Sequence, residues 1–307
     1  MTRRLRLKAK GERRKEEVKT CQVVFFLPSA FCLLPSAFRL VPFAFALTSP
    51  FPGATIMASM LSRKLRSLCA CLALVAAAAA FAEELAEFTE MRRALADAIE
   101  QAVNRARLRS GAPAIDPRVI AAMAKVPRHE FAPPQLRPYA YLDRPLPVGP
   151  DATISQPSLV AVMTDLLKIE RGQKVLEVGV GGGYHTAVLA EMTSDVSSVE
   201  FHAKVAEVAK KNLDRLGYGS VKVNVADGYY GWRPGAPYDA ILVRMAIPDV
   251  TPALLDQLKP GGRLIAPVGP ATSPQQLILF QKGADGGVTE TAIMEVIFRA
   301  LPGGTRL

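Results

Sequence analysis

The chain has 307 residues, half of them hydrophobic, which is enough to bury the core of one large domain or two ordinary ones. Its formal net charge of +10 would suggest a nucleic-acid partner, but residues 1–82 carry 13 of the 38 Lys and Arg and only 3 of the 28 Asp and Glu. The rest of the chain holds 25 of each sign, so its partners are not set by a basic surface and no nucleic-acid partner is expected. All four cysteines (Cys21, Cys32, Cys69, Cys71) lie in the same front section, and His129, His185 and His202 are the only histidines. That excludes a Cys/His zinc site and a thiol nucleophile.

Residues 1–56 hold a basic run followed by a near-repeat, Leu27-Pro28-Ser29-Ala30-Phe31 and Leu34-Pro35-Ser36-Ala37-Phe38. Proline interrupts its apolar tract too often for a spanning helix or a core element, so 1–56 is expected to be a disordered extension upstream of the native start. From Met57 or Met60 the pattern becomes that of a secretory signal over 57–82. Arg63, Lys64 and Arg66 precede an apolar stretch from Leu68 to Phe81, and Ala80-Phe81-Ala82 is a small-x-small cleavage site before Glu83. The expected location is periplasmic or secreted, without stable membrane association after cleavage, and cytoplasmic if the signal is unused.

Residues 83–150 read as a helical and proline-rich segment on the substrate side. Leu85, Phe88, Met91, Leu95, Ile99 and Val103 recur at helical spacing over 84–109, and Gly111 and Pro113 end the run. Asp116 and Pro117 look like an N-cap and first-turn proline of a short helix to Ala124. From Pro127 to Pro157 no periodicity is visible, and a connection of that length is usually functional or disordered. Pro157 then opens a helix to Leu167, with Gln156 or Ser155 near its cap. Ser155 is thus either a capping residue or a hydroxyl placed, with main-chain donors, to receive a carboxylate.

Residues 151–307 read as one α/β domain. Val175 to Val178 is a buried parallel strand that stops at Gly179, Gly181, Gly182 and Gly183, and Thr186 to Met192 continues as helix. Glycines there let the backbone take positive φ and let a ligand approach the main chain. A second strand, Val196 to Val199, ends at Glu200, 21 residues after Gly179, where an acidic side chain can accept from both ribose hydroxyls. A dinucleotide fingerprint wants Gly or Ala at position 184, but the residue is Tyr184, and no Tyr-x-x-x-Lys proton donor is present. The Glu-x-Gly-x-Gly-x-Gly form, Glu177 to Gly183, resembles that of class I methyltransferases that bind S-adenosyl-L-methionine.

A helix from Ala203 to Leu216 and a strand from Val221 to Val225 lead to Asp227-Gly228. Asp227 either reaches adenine's amino group or closes a turn. Tyr229, Tyr230 and Trp232 either line the adenine pocket or pack the loop. Strand Tyr238 to Val243, helix Thr251 to Leu258, a turn at Lys259 to Arg263 and strand Leu264 to Val268 come next. Gln276 to Gln281 and Thr289 to Arg299 close as an antiparallel pair. The fold class is therefore α/β: a doubly wound, Rossmann-like class I methyltransferase sheet with an antiparallel C-terminal edge and an N-terminal helical and loop extension.

From about Asp116 to Leu301 the chain resembles the protein-L-isoaspartate O-methyltransferase family. The resemblance rests on Val126-Pro127-Arg128 with Phe131, Ala140-Tyr141 with Asp143-Arg144-Pro145-Leu146-Pro147, Thr153-Ile154-Ser155-Gln156-Pro157, the glycine loop, Tyr238 to Val243, and Gly261-Gly262-Arg263-Leu264 with Pro267-Val268-Gly269. It implies an enzyme that transfers a methyl group from S-adenosyl-L-methionine to the carboxylate of L-isoaspartyl residues in damaged proteins or peptides; a monomer is expected. It implies Ser155 as the active-site hydroxyl, Thr153, Ile154 and Gln156 beside the substrate, and Glu177, Gly179, Gly181, Gly183, Glu200, Asp227 and Gly228 around the cofactor. The chain departs from the family pattern at Asp151-Ala152, at Val180, Gly182 and His185 in the loop, at Arg244-Met245-Ala246, and at Phe298-Arg299-Ala300-Leu301. Arg244 and Arg299 fall where substrate should sit, to pair with its carboxylate or to fill the pocket. The alternative is a methyltransferase-fold protein that binds the cofactor but acts on another carboxylate or has lost turnover.

Overall fold

The computed structural model describes residues 52–149 and 152–303, with only the backbone for 52–70, 73, 80 and 81. Most of segment 1–56 and Asp151 fall outside the described residues. The chain divides into two units, Met1–Arg66 and Ser67–Leu307. Within the first, the described backbone is helical. No helix among the described residues is long and apolar enough to cross a membrane.

The helix expected over 84–109 is the end of a longer one, α1 (Pro52–Ser110), so the backbone runs on as helix past the proposed cleavage point at Ala82. Asp116 caps α2 (Pro117–Lys125) by accepting from Arg118 N, with proline at the first position, as the sequence suggests. The stretch from 127 to 157 is more ordered than its sequence indicates. It forms two 3-10 turns, Arg128–Phe131 and Pro134–Tyr139, and a small antiparallel pair of β1 (Leu146–Pro147) and β2 (Thr153–Ile154). Each piece is too short to show a period, so tertiary contacts hold it.

Helix α3 (Pro157–Leu167) leads into β3 (Lys174–Val178), α4 (Tyr184–Met192), β4 (Asp195–Glu200), α5 (Ala203–Arg215), β5 (Lys222–Val225) and β6 (Tyr238–Val243). The helix expected over 251–258 shortens to α6 (Pro252–Asp256), capped by the Thr251 side chain. The expected turn at 259–263 lies within a long β7 (Leu258–Val268), because Leu258 already pairs with Tyr238 before the register shifts. The hairpin of β8 (Gln275–Lys282) and β9 (Val288–Val296) completes a seven-stranded sheet, β5-β4-β3-β6-β7-β8-β9, parallel from β5 to β7 and antiparallel beyond.

Alternation along the strands divides the apolar residues between two faces. Val175, Ala240, Leu242 and Ile265 join the core formed with α1 to α4, while Leu176, Val178, Ile241, Val243, Leu264 and Ala266 join the core on the other side with α6. Near-continuous apolar runs are what a parallel sheet covered on both faces requires. The strand order reverses between β3 and β6, so their carboxyl ends open a crevice, the usual ligand position in a doubly wound sheet.

Tyr184, the residue that argues against a dinucleotide, is buried in the helical layer. Phe131 meets it edge-on at 5.8 Å, and the Arg128 guanidinium lies 4.8 Å from its ring centroid. Two segments far apart in sequence, Val126 to Phe131 and the start of α4, are thus one packing unit. At the other end of the layer, Arg107 of α1 pairs with Asp165 of α3 at 2.7 Å. Burial opposes the Asp165 charge, but hydrogen bonds from Asp116 N, Lys168 and Arg107 outweigh it and hold the carboxyl below its usual range.

Candidate active site

A cavity of about 1120 Å³ opens at the carboxyl ends of β3, β4 and β6. Gly179 and Gly181 line it with φ of 90° and 53°, a conformation that favours glycine. A Cβ on Gly181 would stand 3.3 Å from Thr153 O, so the loop passes close under β2. Gly183, the third loop glycine singled out from the sequence, is the residue before α4, with φ of 95°, and is not on the cavity wall.

Behind the loop lies a buried ion pair. Glu177 is fully buried, accepts from Thr186 Oγ1 and Ser198 Oγ, and sits 3.1 Å from Arg244 Nη1. Expected beside the cofactor, it has no exposed surface and is not on the cavity wall, and it reaches the loop only through Arg244. Burial pushes its carboxyl above the usual range, against the pull of Arg244 and the two hydroxyls. Arg244 follows β6, which pairs with β3, and its N–H bonds to Val178 O. From there its Nη1 also donates to Gly179 O and Val180 O, each at 2.9 Å, and its Nη2 donates to Ser155 Oγ at 3.3 Å. Arg244 lines the cavity and does more than fill space. It ties the glycine loop to the serine.

Ser155, Thr153 and Gln156 all line the cavity. Ile154 does not: it is 1% exposed and belongs to the core, since alternate residues of β2 point to opposite sides. Gln156 is the N-cap of α3, as the sequence suggests. It makes no side-chain cap bond, whereas Asp143 Oδ1 accepts from Ser158 N at 2.8 Å. The first free main-chain donor of α3 is thus satisfied by a carboxylate from 15 residues upstream. Arg299 lines the cavity too, and its carbonyl accepts from Ala246 N at 2.7 Å. His185, another departure from the family pattern, is buried on α4 and meets Thr164 Oγ1 at 2.9 Å, away from the cavity.

At the opposite end, Glu200 lines the cavity with 8% of its surface exposed. Its Oε2 accepts from Val180 N and Gly181 N, and its Oε1 from His202 N, which fixes the carboxylate at the loop. Phe201, beside it, is an exposed aromatic on the cavity wall that sequence reasoning missed; its position directly after the strand-end acid is the available signal. Gly228 lines the cavity where a Cβ would overlap Val178 Cγ1. Asp227 Oδ1 accepts from Tyr229 N, closing the 3-10 turn. Tyr229 and Trp232 pack on the second core and Tyr230 is exposed, so these rings pack the loop and do not line the cavity. An acid at a strand end, a loop and a glycine where no side chain fits, and an aromatic wall suit the ribose and adenine of S-adenosyl-L-methionine.

The family described as Protein-L-isoaspartate(D-aspartate) O-methyltransferase matches residues 104–306. A protein-L-isoaspartate O-methyltransferase of Syntrophobacter fumaroxidans is 51% identical over 206 residues, which cover 67% of this chain and 83% of that protein. A solved protein-L-isoaspartate O-methyltransferase superposes with a TM-score of 0.57 at 32% identity, covering 66% of each chain. The Plasmodium falciparum structure described as a putative member, in complex with S-adenosyl-L-homocysteine, shares the fold with a TM-score of 0.54 at 22% identity, covering 66% of this chain and 98% of that one.

Proposed function

The chain belongs to the protein-L-isoaspartate(D-aspartate) O-methyltransferase family, and from that premise we propose how its residues divide the work. It is an S-adenosyl-L-methionine-dependent enzyme that methylates L-isoaspartyl residues in protein repair. The cofactor, when bound, supplies an activated methyl group. Gly179, Gly181, Glu200, Asp227 and Gly228 hold it, with Gly183 shaping the loop. Thr153, Ser155, Gln156, Arg244 and Arg299 receive the substrate. An isoaspartyl carboxylate is ionised near pH 7, so no general base is needed, and the protein's task is alignment and exclusion of water.

One observation carries this reading. Ser155 Oγ accepts from Arg244 Nη2, which leaves its own proton to donate to a carboxylate on the cavity side. The same arginine grips the loop carbonyls of Gly179 and Val180, so substrate hydroxyl and cofactor loop are held by one side chain.

The test offers the full-length chain labelled S-adenosyl-L-methionine with an isoaspartyl peptide or its normal aspartyl twin, and counts base-labile methyl ester. Label on the isoaspartyl peptide alone supports the reading; label on both, or on neither, removes it. Ser155→Ala is expected to cut kcat/KM for the peptide by roughly 10- to 100-fold, the worth of one hydrogen bond to a charged group. Cofactor affinity should change far less. A larger loss in cofactor affinity than in turnover would make Ser155 a structural residue.

Export by the 57–82 signal is supported by Arg63, Lys64 and Arg66 ahead of the apolar stretch and by Ala80-Phe81-Ala82. Mass spectrometry of the protein expressed in a Gram-negative host should find a periplasmic form beginning at Glu83. An uncut chain confined to the cytoplasm would sink the export reading and leave the chemistry untouched.

A further inference from the structure

The cavity extends beyond the groups that hold cofactor and carboxylate. Past Ser155 it runs as a groove walled by Val103 and Ala106 of α1, Leu159 and Val162 of α3, Ile293 of β9 and Phe298 just beyond that strand. Its volume of about 1120 Å³ exceeds the roughly 300–1,000 Å³ of a site for one small ligand. Val103, one of the apolar positions that mark α1 as amphipathic, is only partly buried and turns to this groove. The one basic side chain that α1 contributes, Arg107, is paired with Asp165 and also donates to Pro113 O. The charge of Arg107 is therefore neutralised, and the walls are mostly apolar, with Ser110, Ser158 and Glu295 among them.

We propose that this groove is a subsite for an apolar side chain neighbouring the isoaspartyl residue in the substrate chain. The inference rests on the isoaspartyl reading and names what that site selects. Continuity supports this occupant, because Leu159 and Val162 lie on one side of α3, which begins two residues after Ser155, and all three line the same cavity. From Pro157 to Val162 the helix rises roughly 8 Å at 1.5 Å per residue, a span that an extended peptide covers in about two or three residues. A substrate anchored by its carboxylate at Ser155 therefore places the side chains of its nearest neighbours against Leu159, Val162, Val103 and Ala106. At the mouth stands Ile297, 82% exposed, which continues the apolar wall outward.

The experiment measures kcat/KM on the full-length chain for isoaspartyl peptides that differ only in carrying Ala, Leu or Asp beside the isoaspartyl residue. Leu is expected to exceed Ala by about tenfold, as for an isobutyl group leaving water for a half-open groove, and Asp is expected to fall below Ala. Ala106→Glu and Val162→Glu should each bring the Leu-to-Ala ratio close to one. Ala106 is an exposed helix position, so its variant remains informative if Val162→Glu fails to fold, and binding of labelled cofactor reports the fold of each. Equal rates for Ala and Leu on the unaltered enzyme overturn the subsite while leaving the isoaspartyl reading intact. A Leu preference that survives Ala106→Glu also overturns it. Failure to methylate any isoaspartyl peptide overturns the parent reading and the subsite together.

Discussion

Arg244→Ala is expected to destabilise the protein by about 3–5 kcal/mol, the usual cost of removing one partner of a buried ion pair. Glu177 has no exposure and Arg244 has 7%, so solvent cannot replace the lost cation. The variant strands a carboxylate in the core and releases the carbonyls of Gly179 and Val180 together with Ser155 Oγ. For a domain of this size the loss corresponds to a fall in Tm of roughly 10 °C. The pH dependence has a definite sign. Burial already holds the Glu177 carboxyl above its usual range, and loss of Arg244 raises it further, so the folded variant binds a proton more tightly than the unfolded chain. The variant is then relatively most stable at acid pH and weakens as pH rises through that raised value. Calorimetry of Arg244→Ala across pH checks both the size and the direction. The pair Glu177→Gln with Arg244→Met, which leaves no buried charge, should regain most of the loss. A neutral single variant, or a deficit that grows on acidification, would refute the brace.

Glu200→Ala should weaken cofactor binding by about 100-fold, near 2.7 kcal/mol, because the proposed contacts to two ribose hydroxyls are hydrogen bonds to a charged acceptor. The same change removes the acceptor of Val180 N, Gly181 N and His202 N, so the loop loses its shape along with the ligand. Glu200→Gln keeps an acceptor without the charge and should fall between, at roughly tenfold. Titration calorimetry with S-adenosyl-L-homocysteine separates these from Ser155→Ala, whose expected effect is on turnover. An unchanged affinity in Glu200→Ala would remove the ribose assignment. Together the two variants divide the loop's support: Arg244 holds it through carbonyls from beneath, and Glu200 through amides from the ligand side.

Residues that act through local pattern were legible in the sequence. The apolar strand runs, the positive-φ glycines, the acid at the end of β4 and the Asp116-Pro117 helix start each depend on neighbours a few positions away. So the doubly wound sheet, its antiparallel edge and the position of the glycine loop could be read from one-dimensional spacing. What the tertiary structure alone decided involves partners far apart in the chain. Gln156 is the N-cap of α3, but Asp143 supplies the capping acceptor because a folded loop brings its carboxylate to Ser158 N. Ile154 turns into the core while Thr153 and Ser155 face the cavity, a matter of which side of β2 the core lies on. Glu177 and Arg244, 67 residues apart, become a brace because parallel pairing of β3 and β6 sets their strand ends side by side. A charge has no periodicity from which its partner can be read. Only the register of the sheet, fixed by burial of apolar faces on both sides, tells a buried arginine where its carboxylate is.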